Sequence, residues 1–224
     1  MLFTIGCKED ESPLLKALDA STFECQERET DYYFEGTLNG DKVCYHVGYD
    51  NYGMALRKST GFTSGATVDP INPSGTSRIW GTFSIEPLSP WQHLDQFFQI
   101  ETPKFVNSNI EKDSIIRATI KIGDLPLTDE MNNDDAFNLK VVIWSKNGFE
   151  NSEGGQVLPL QTGGGEQKDS YLKITELESS EVGSKRFYTI TFEFECDLYI
   201  AGDGDKKFGR IDDGKMRIWV EVEK

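Results

Sequence analysis

Apolar side chains recur at every second position in one short run after another along most of this chain, which is the pattern of half-buried β-strands. The clearest case is Tyr32-Tyr33-Phe34-Glu35-Gly36-Thr37-Leu38, then Asn39-Gly40, then Asp41-Lys42-Val43-Cys44-Tyr45-His46-Val47. Asn-Gly between two such runs predicts a type I′ hairpin, because that turn needs positive φ at both central positions. A two-residue loop also sets the register: Leu38 opposite Asp41, Gly36 opposite Val43, Phe34 opposite Tyr45 and Tyr32 opposite Val47. Phe34, Val43, Tyr45 and Val47 then share the core face, while Glu35, Thr37, Lys42, Cys44 and His46 take the other.

Further along, residues 54–58 read as a short strand, and 59–77, rich in Gly, Ser, Thr and Pro, as a long loop. Residues 78–86 alternate again, with Ile79, Gly81, Phe83 and Ile85 inward. Ser89-Pro90 has the form of a helix start, and Trp91, Leu94, Phe97 and Phe98 follow at helical spacing, so a short helix is expected there. Residues 114–122 read as a strand with Ile116, Ala118, Ile120 and Ile122 inward, and 123–136 as an acidic loop. Strands are expected at 137–145, 156–160, 171–177 and 187–198. The last has Tyr188, Ile190, Phe192, Phe194 and Cys196 on its buried side. Asp213-Gly214 between 206–212 and 215–222 predicts a second I′ hairpin, with Ile211 facing Met216 and Met216, Ile218, Val220 and Val222 inward. The fold class that follows is all-β: an antiparallel β-sandwich of about ten strands with long loops and one or two short helices. Neither an internal repeat nor a composition break divides residues 31–224, which read as a single β-sandwich domain.

Composition narrows the partners. The chain of 224 residues carries a net charge of −15, which leaves no basic stripe for nucleic acid. No apolar run reaches the roughly 18–20 residues of a membrane span. The four cysteines are Cys7, Cys25, Cys44 and Cys196. Beyond Cys7 they are odd in number and widely spaced, so at most one disulfide joins them and no pair stands out; no Cys-x-x-Cys or Cys/His zinc pattern is present.

The N-terminus holds a different signal. Met1-Leu2-Phe3-Thr4-Ile5-Gly6-Cys7 is a short apolar run ending in Gly-Cys, followed by Lys8-Glu9-Asp10-Glu11. Thr4-Ile5-Gly6-Cys7 resembles a bacterial lipobox, in which a small residue precedes the cysteine that is diacylated, although Thr4 stands where leucine is usual. Cys7-Lys8-Glu9-Asp10 resembles the signal that directs Bacteroidota lipoproteins to the outer face of the outer membrane. The resemblance implies that residues 1–6 are the remnant of a signal peptide and that Met1 is a late start. It further implies that Cys7 is lipidated and that 7–30 form a tether. Within the tether, Ser12-Pro13 either caps a short helix carrying Leu14, Leu15 and Leu18 or belongs to a solvated linker. Acyl chains contribute about 0.8 kcal/mol per buried methylene, enough to hold the chain in a lipid bilayer. The layout also resembles small Bacteroidota surface lipoproteins that accompany importers of the SusC/SusD type. An outer-membrane importer complex and a glycan or peptide ligand are thereby implied as partners. The competing address is the cytosol, with a charged, frayed N-terminus.

Candidate chemistry is sparse. The chain has no Gly-x-Ser-x-Gly, His-Glu-x-x-His, Walker or Rossmann pattern. His46 and His93 read as surface residues, and Gly163-Gly164-Gly165 precedes no helix that would make it a phosphate cradle. Asp203, Asp205 and Asp212 are weak calcium candidates, since oxygen-rich loops suit Ca²⁺; no other cofactor is implied. Strand parity places Trp80, Trp144 and Trp219 on the polar sides of their strands, with Arg217 beside Trp219 and Phe208 facing it across the expected hairpin. Outward aromatics of this kind suggest a sugar-stacking platform or a protein interface. A non-enzymatic surface binding or accessory protein is the expectation. An extracellular glycan hydrolase using a carboxylate pair, or a purely structural subunit of an outer-membrane complex, are the alternatives.

Overall fold

A computed structural model describes residues 29–48, 52–54, 62–65, 78–87, 97–106, 112–130, 133–145, 156–201 and 206–223. The Ser12-Pro13 segment, most of the 59–77 loop, the Ser89-Pro90 helix start, Trp91 and His93 lie outside them.

The Asn39-Gly40 hairpin forms as expected. β1 (Tyr33–Leu38) and β2 (Asp41–His46) pair Leu38 with Asp41, Gly36 with Val43 and Phe34 with Tyr45. Both turn residues have positive φ, +52° and +92°. Phe34, Val43 and Tyr45 are buried. β3 (Tyr52–Met54), β4 (Phe62–Gly65), β5 (Arg78–Pro87), β6 (Phe97–Glu101) and β7 (Phe105–Val106) follow, then helix α1 (Lys112–Thr119) and β8 (Gly123–Leu125). β9 (Asn138–Ser145), β10 (Gln156–Gln161), β11 (Tyr171–Val182), β12 (Lys185–Ile200) and β13 (Lys207–Glu223) complete the chain.

The fold is the all-β antiparallel architecture read from the alternation. One continuous path, β2-β1-β13-β12-β10-β9-β6-β5-β3, carries the core, and β11 extends it from β12 to β8. The path curls until its two arms face each other. Phe34 of β1 stacks on Phe98 of β6 at 4.2 Å, and Phe83 of β5 meets Phe192 of β12 at 5.5 Å. The arms β2-β1-β13-β12 and β9-β6-β5-β3 thus act as the two layers, and β10 is the corner, bonded to β12 only through Leu160 and Gln161.

Three local expectations are corrected. Residues 112–119 form a helix rather than a strand. Ile116 and Ile120 are buried, whereas Ala118 and Ile122 are exposed, Ile122 to 67%. A spacing of four satisfies both the strand and the helix period, and the backbone bond from Ile120 N–H to Ile116 C=O selects the helix. Phe97 and Phe98 lie on strand β6 instead of on a helix, because β5 and β9 bond it from both sides and bury Phe98 and Ile100.

The third correction concerns Asp213-Gly214, which is a bulge inside one strand and not a turn. β13 runs unbroken from Lys207 to Glu223. Opposite β1, Glu35 pairs with Lys215 and Thr37 with Asp212, so Asp213 and Gly214 together oppose Gly36. Asp213 takes φ +52°, the same left-handed geometry an I′ turn would use, which is why the dipeptide fits either reading. Ile211 consequently pairs with Leu38 and Cys196, and Met216 with Phe34 and Phe192.

Cys44 is disulfide-bonded. Cys196 is a free thiol in the centre of the core, and burial raises its pKa. Among the described residues no helix is long and apolar enough to cross a membrane.

Candidate binding face

The outer side of β11, β12, β13, β1 and β2 is a lattice of cross-strand rows. One row is Glu178, Thr189 and Trp219; the next is Glu176, Thr191, Arg217, Tyr33 and His46; the third is Lys173, Glu193, Lys215, Glu35 and Cys44. Each alternates with a core residue on its own strand, Ile190 and Phe192 on β12 and Met216 and Ile218 on β13, so the rows occupy the outer side of the sheet, where Thr191 and His46 are nevertheless buried and Trp219 is partly packed against the core.

Two kinds of contact hold this face. The ring of Trp219 lies 5.9 Å from that of Phe187 at 53°, a tilted pair spanning β13 and β12. Both rings are half-buried. Around them, charges are matched across strands: Arg217 with Glu176 at 2.6 Å, Lys185 with Glu221 at 2.6 Å and Lys173 with Glu193 at 2.8 Å. Thr191 donates to Glu176 at 2.8 Å from beneath the arginine. The carboxylate partners raise the pKa of Lys185 and of Lys173 above the usual lysine value.

The tryptophans expected to act together are separated by the curl of the sheet. Trp80 is half-buried on β5, opposite Thr63 of β4. It sits in the layer that meets β12 through Phe83 and Phe192. Since it alternates with Gly81 and Phe83, its side of β5 faces away from the layer that carries Trp219. Trp144 occupies β9 opposite Val157; its side chain is not among those described. Phe208 does not face Trp219. It is buried at 8% exposure near the opposite end of the same strand, roughly 35 Å along β13 at the usual strand rise. The register shift opposite Leu198 and Tyr199 turns it into the core. Arg217 does lie beside Trp219 in the adjacent row, with its guanidinium committed to Glu176.

Tyr33, Phe187 and Glu176 belong to the face but were not singled out from sequence. Hairpin parity already puts Tyr33 opposite the core-facing Phe34, but its neighbour Arg217 comes from the far end of the chain, a pairing no local pattern reveals. His46 occupies the non-core side of the hairpin as expected, yet it is buried at 3%, with Nε2 3.1 Å from Glu35. It is therefore not the surface residue its polar row suggested.

Two further charged clusters are structural. Arg210 reaches Asp212 at 2.8 Å, Glu195 at 3.0 Å and Asp197 at 3.3 Å, and donates to the carbonyl of Asp169 at 2.8 Å. Lys207 completes the neutralisation of the buried Asp197 at 2.7 Å. The carboxylate of Asp212, a calcium candidate, is thus already held by a cation; Asp203 and Asp205 lie outside the described residues. Among the described residues no group of three or more His, Cys, Asp or Glu is gathered to hold a metal ion. Gly164 and Gly165 pack directly on the ring of Tyr199, where a side chain would collide, and Tyr199 donates to Glu166 C=O at 2.6 Å. The glycine run therefore serves close packing.

The other cluster pins α1. Asp113 is buried at 3% and accepts hydrogen bonds from Tyr188 at 2.7 Å and from Arg186, with Arg117 2.6 Å away. Burial pushes the Asp113 pKa up, but the hydrogen bonds from Tyr188 and Arg186 and the charges of Arg186 and Arg117 outweigh it and leave the carboxyl below its ordinary value.

In comparison with known proteins, no family model, no curated protein and no solved structure matches the chain.

Proposed function

We propose that this protein is a non-enzymatic binding or accessory module of a bacterial cell surface, lipid-anchored through Cys7 on the extracellular face of the outer membrane. It presents the Trp219 face to a glycan or peptide ligand. The observation that carries the reading is the Trp219–Phe187 pair, half-buried on the outer side of strands whose inner side is a filled core. Rigid aromatic rings on the outer side of a sheet offer a ligand contact area at low entropic cost. The lipobox-like start supports the address, and the disulfide at Cys44 suits an oxidising compartment. Association with an importer complex is part of the same proposal.

Tryptophan fluorescence of the wild type and of Trp219→Ala, titrated with glycan and peptide panels and followed by product analysis, tests the binding role. A spectral shift without product, lost in the variant, supports it. Product release instead supports a hydrolase acting through a carboxylate pair, and silence supports a structural subunit. For the address, labelled palmitate should enter the native gene product and be excluded by Cys7→Ser. An unacylated, cytosolic protein would overturn the anchoring.

A further inference from the structure

We infer that Cys44 is joined to Cys25, and that this bond fastens the segment before Glu29 across the outer side of β2.

The four cysteines leave two partners. Cys44 is disulfide-bonded and Cys196 is a free, buried thiol, so within the chain the second sulfur belongs to Cys7 or to Cys25. The way the chain enters β1 separates them. Thr30 Oγ1 donates to the carbonyl of Val47 at 3.1 Å, and Val47 N–H donates to the carbonyl of Tyr32 at 3.0 Å. Both bonds bring the incoming chain alongside the end of β2 and away from β13, which β1 meets no earlier than Tyr33 opposite Arg217. Cys44 lies three residues before Val47, roughly 10 Å back along the strand at the usual rise. Cys25 lies five residues before Thr30, and five extended residues span up to roughly 17 Å. Cys25 can therefore fold back to Cys44 with length to spare, from a point the structure already holds. Cys7 lies 23 residues before Thr30 and would have to close a much longer loop, so it meets Cys44 at a lower local concentration.

The outer side of β2 also has room and need for such a strap. β2 ends the sheet path, and among the described residues no strand is bonded to its far edge. Cys44 pairs with Glu35 on the outer side, alternating with the buried Val43 and Tyr45. His46, next along the same side, is buried at 3%, although the Glu35 carboxylate that meets its Nε2 is 47% exposed. A buried imidazole on the outer side of an end strand needs a cover, and chain fastened at Cys44 passes one side-chain step away.

Forming the bond takes two protons and two electrons from the two thiols. A disulfide donor such as oxidised glutathione accepts them and leaves as two thiols. Under the anchoring proposed above, on which this consequence alone rests, the bond leaves the Cys7 sulfur for acylation and makes residues 8–24 the tether. A pull from the membrane then loads a covalent bond on β2 instead of the hydrogen bonds that hold β1.

The test starts from the full chain with all four cysteines, equilibrated in a glutathione redox couple, quenched with N-ethylmaleimide, denatured and digested with trypsin without reductant. Cleavage after Lys8, Lys16, Arg28, Lys42 and Arg57 puts Cys7, Cys25 and Cys44 on separate peptides for mass spectrometry. The expected species is 17–28 linked to 43–57, in the wild type and in Cys7→Ser alike. Cys25→Ser should lose it and carry Cys44 as a thiol or glutathione adduct. Reductant should lower the melting temperature of the wild type and of Cys7→Ser by about 5 °C or more and leave that of Cys25→Ser unmoved. A link between 1–8 and 43–57, a dimer joined through Cys44, or a reductant effect that vanishes in Cys7→Ser and persists in Cys25→Ser overturns the inference. Palmitate labelling of Cys7 reads the anchoring separately, so either can fail while the other stands.

Discussion

Phe34 of β1 and Phe98 of β6 stack at 4.2 Å with their planes 4° from parallel, although β13, β12, β10 and β9 lie between their strands along the sheet. In a flat sheet those five steps of about 4.8 Å would hold them roughly 24 Å apart. The contact therefore measures how far the sheet curls, and Phe194 closes the same stack at 5.1 Å from Phe98.

Phe98 is fully buried, so Phe98→Ala should cost about 3–5 kcal/mol of stability in urea unfolding. A double-mutant cycle with Phe34→Leu should return a coupling of about 1 kcal/mol. Additive effects would mean the two arms do not meet through this pair.

The bulge in β13 depends on Gly214. A Cβ there would collide with the Phe194 ring and lie 2.7 Å from the Phe194 carbonyl oxygen. Gly214→Ala should therefore lower stability by about 1–3 kcal/mol. Asp213→Gly should be neutral or better, because glycine takes the left-handed conformation without penalty. A Gly214→Ala protein melting with the wild type would show that the strand is continuous in some other way.

Asp113 makes stability pH-dependent. Its folded pKa lies below the unfolded one, so its contribution is complete above the ordinary carboxylate range and is lost as pH falls through the lowered value. Asp113→Ala, which leaves the Tyr188 hydroxyl without its acceptor, should cost about 2–3 kcal/mol at neutral pH. The gap between variant and wild type should narrow on acidification below about pH 4. A gap constant with pH would assign the loss to packing alone.

Cys196 is buried with a raised pKa. Iodoacetamide at mildly alkaline pH should leave it unmodified in the native protein and alkylate it on unfolding. Peptide mapping without reductant should find Cys44 in a disulfide. Rapid native alkylation of Cys196 would contradict the closed core.

Local pattern alone was enough for the β1–β2 hairpin, for the inward face of β12 from Tyr188 to Cys196, and for the antiparallel all-β class. In each, the side-chain period and the turn chemistry act between neighbours in sequence. The same local signals misassigned three places. Ile116 and Ile120 satisfy two periods at once, and the helix there is held by the backbone bond between them and by the tertiary anchoring of Asp113 to Tyr188 and Arg186. Phe97 and Phe98 became strand because β5 and β9 flank them. Asp213-Gly214 supplies left-handed geometry that serves a bulge as well as a turn, and the long partners β12 and β1 decided for the bulge. The candidate face shows the same division. That Trp219 stands opposite a core residue was legible from alternation. That it meets Phe187 and neighbours Tyr33, and that Trp80 and Phe208 are elsewhere, followed from the order in which distant strands pair and from the curl of the sheet. Those depend on which apolar faces bury each other, a property of the whole chain rather than of any one stretch of it.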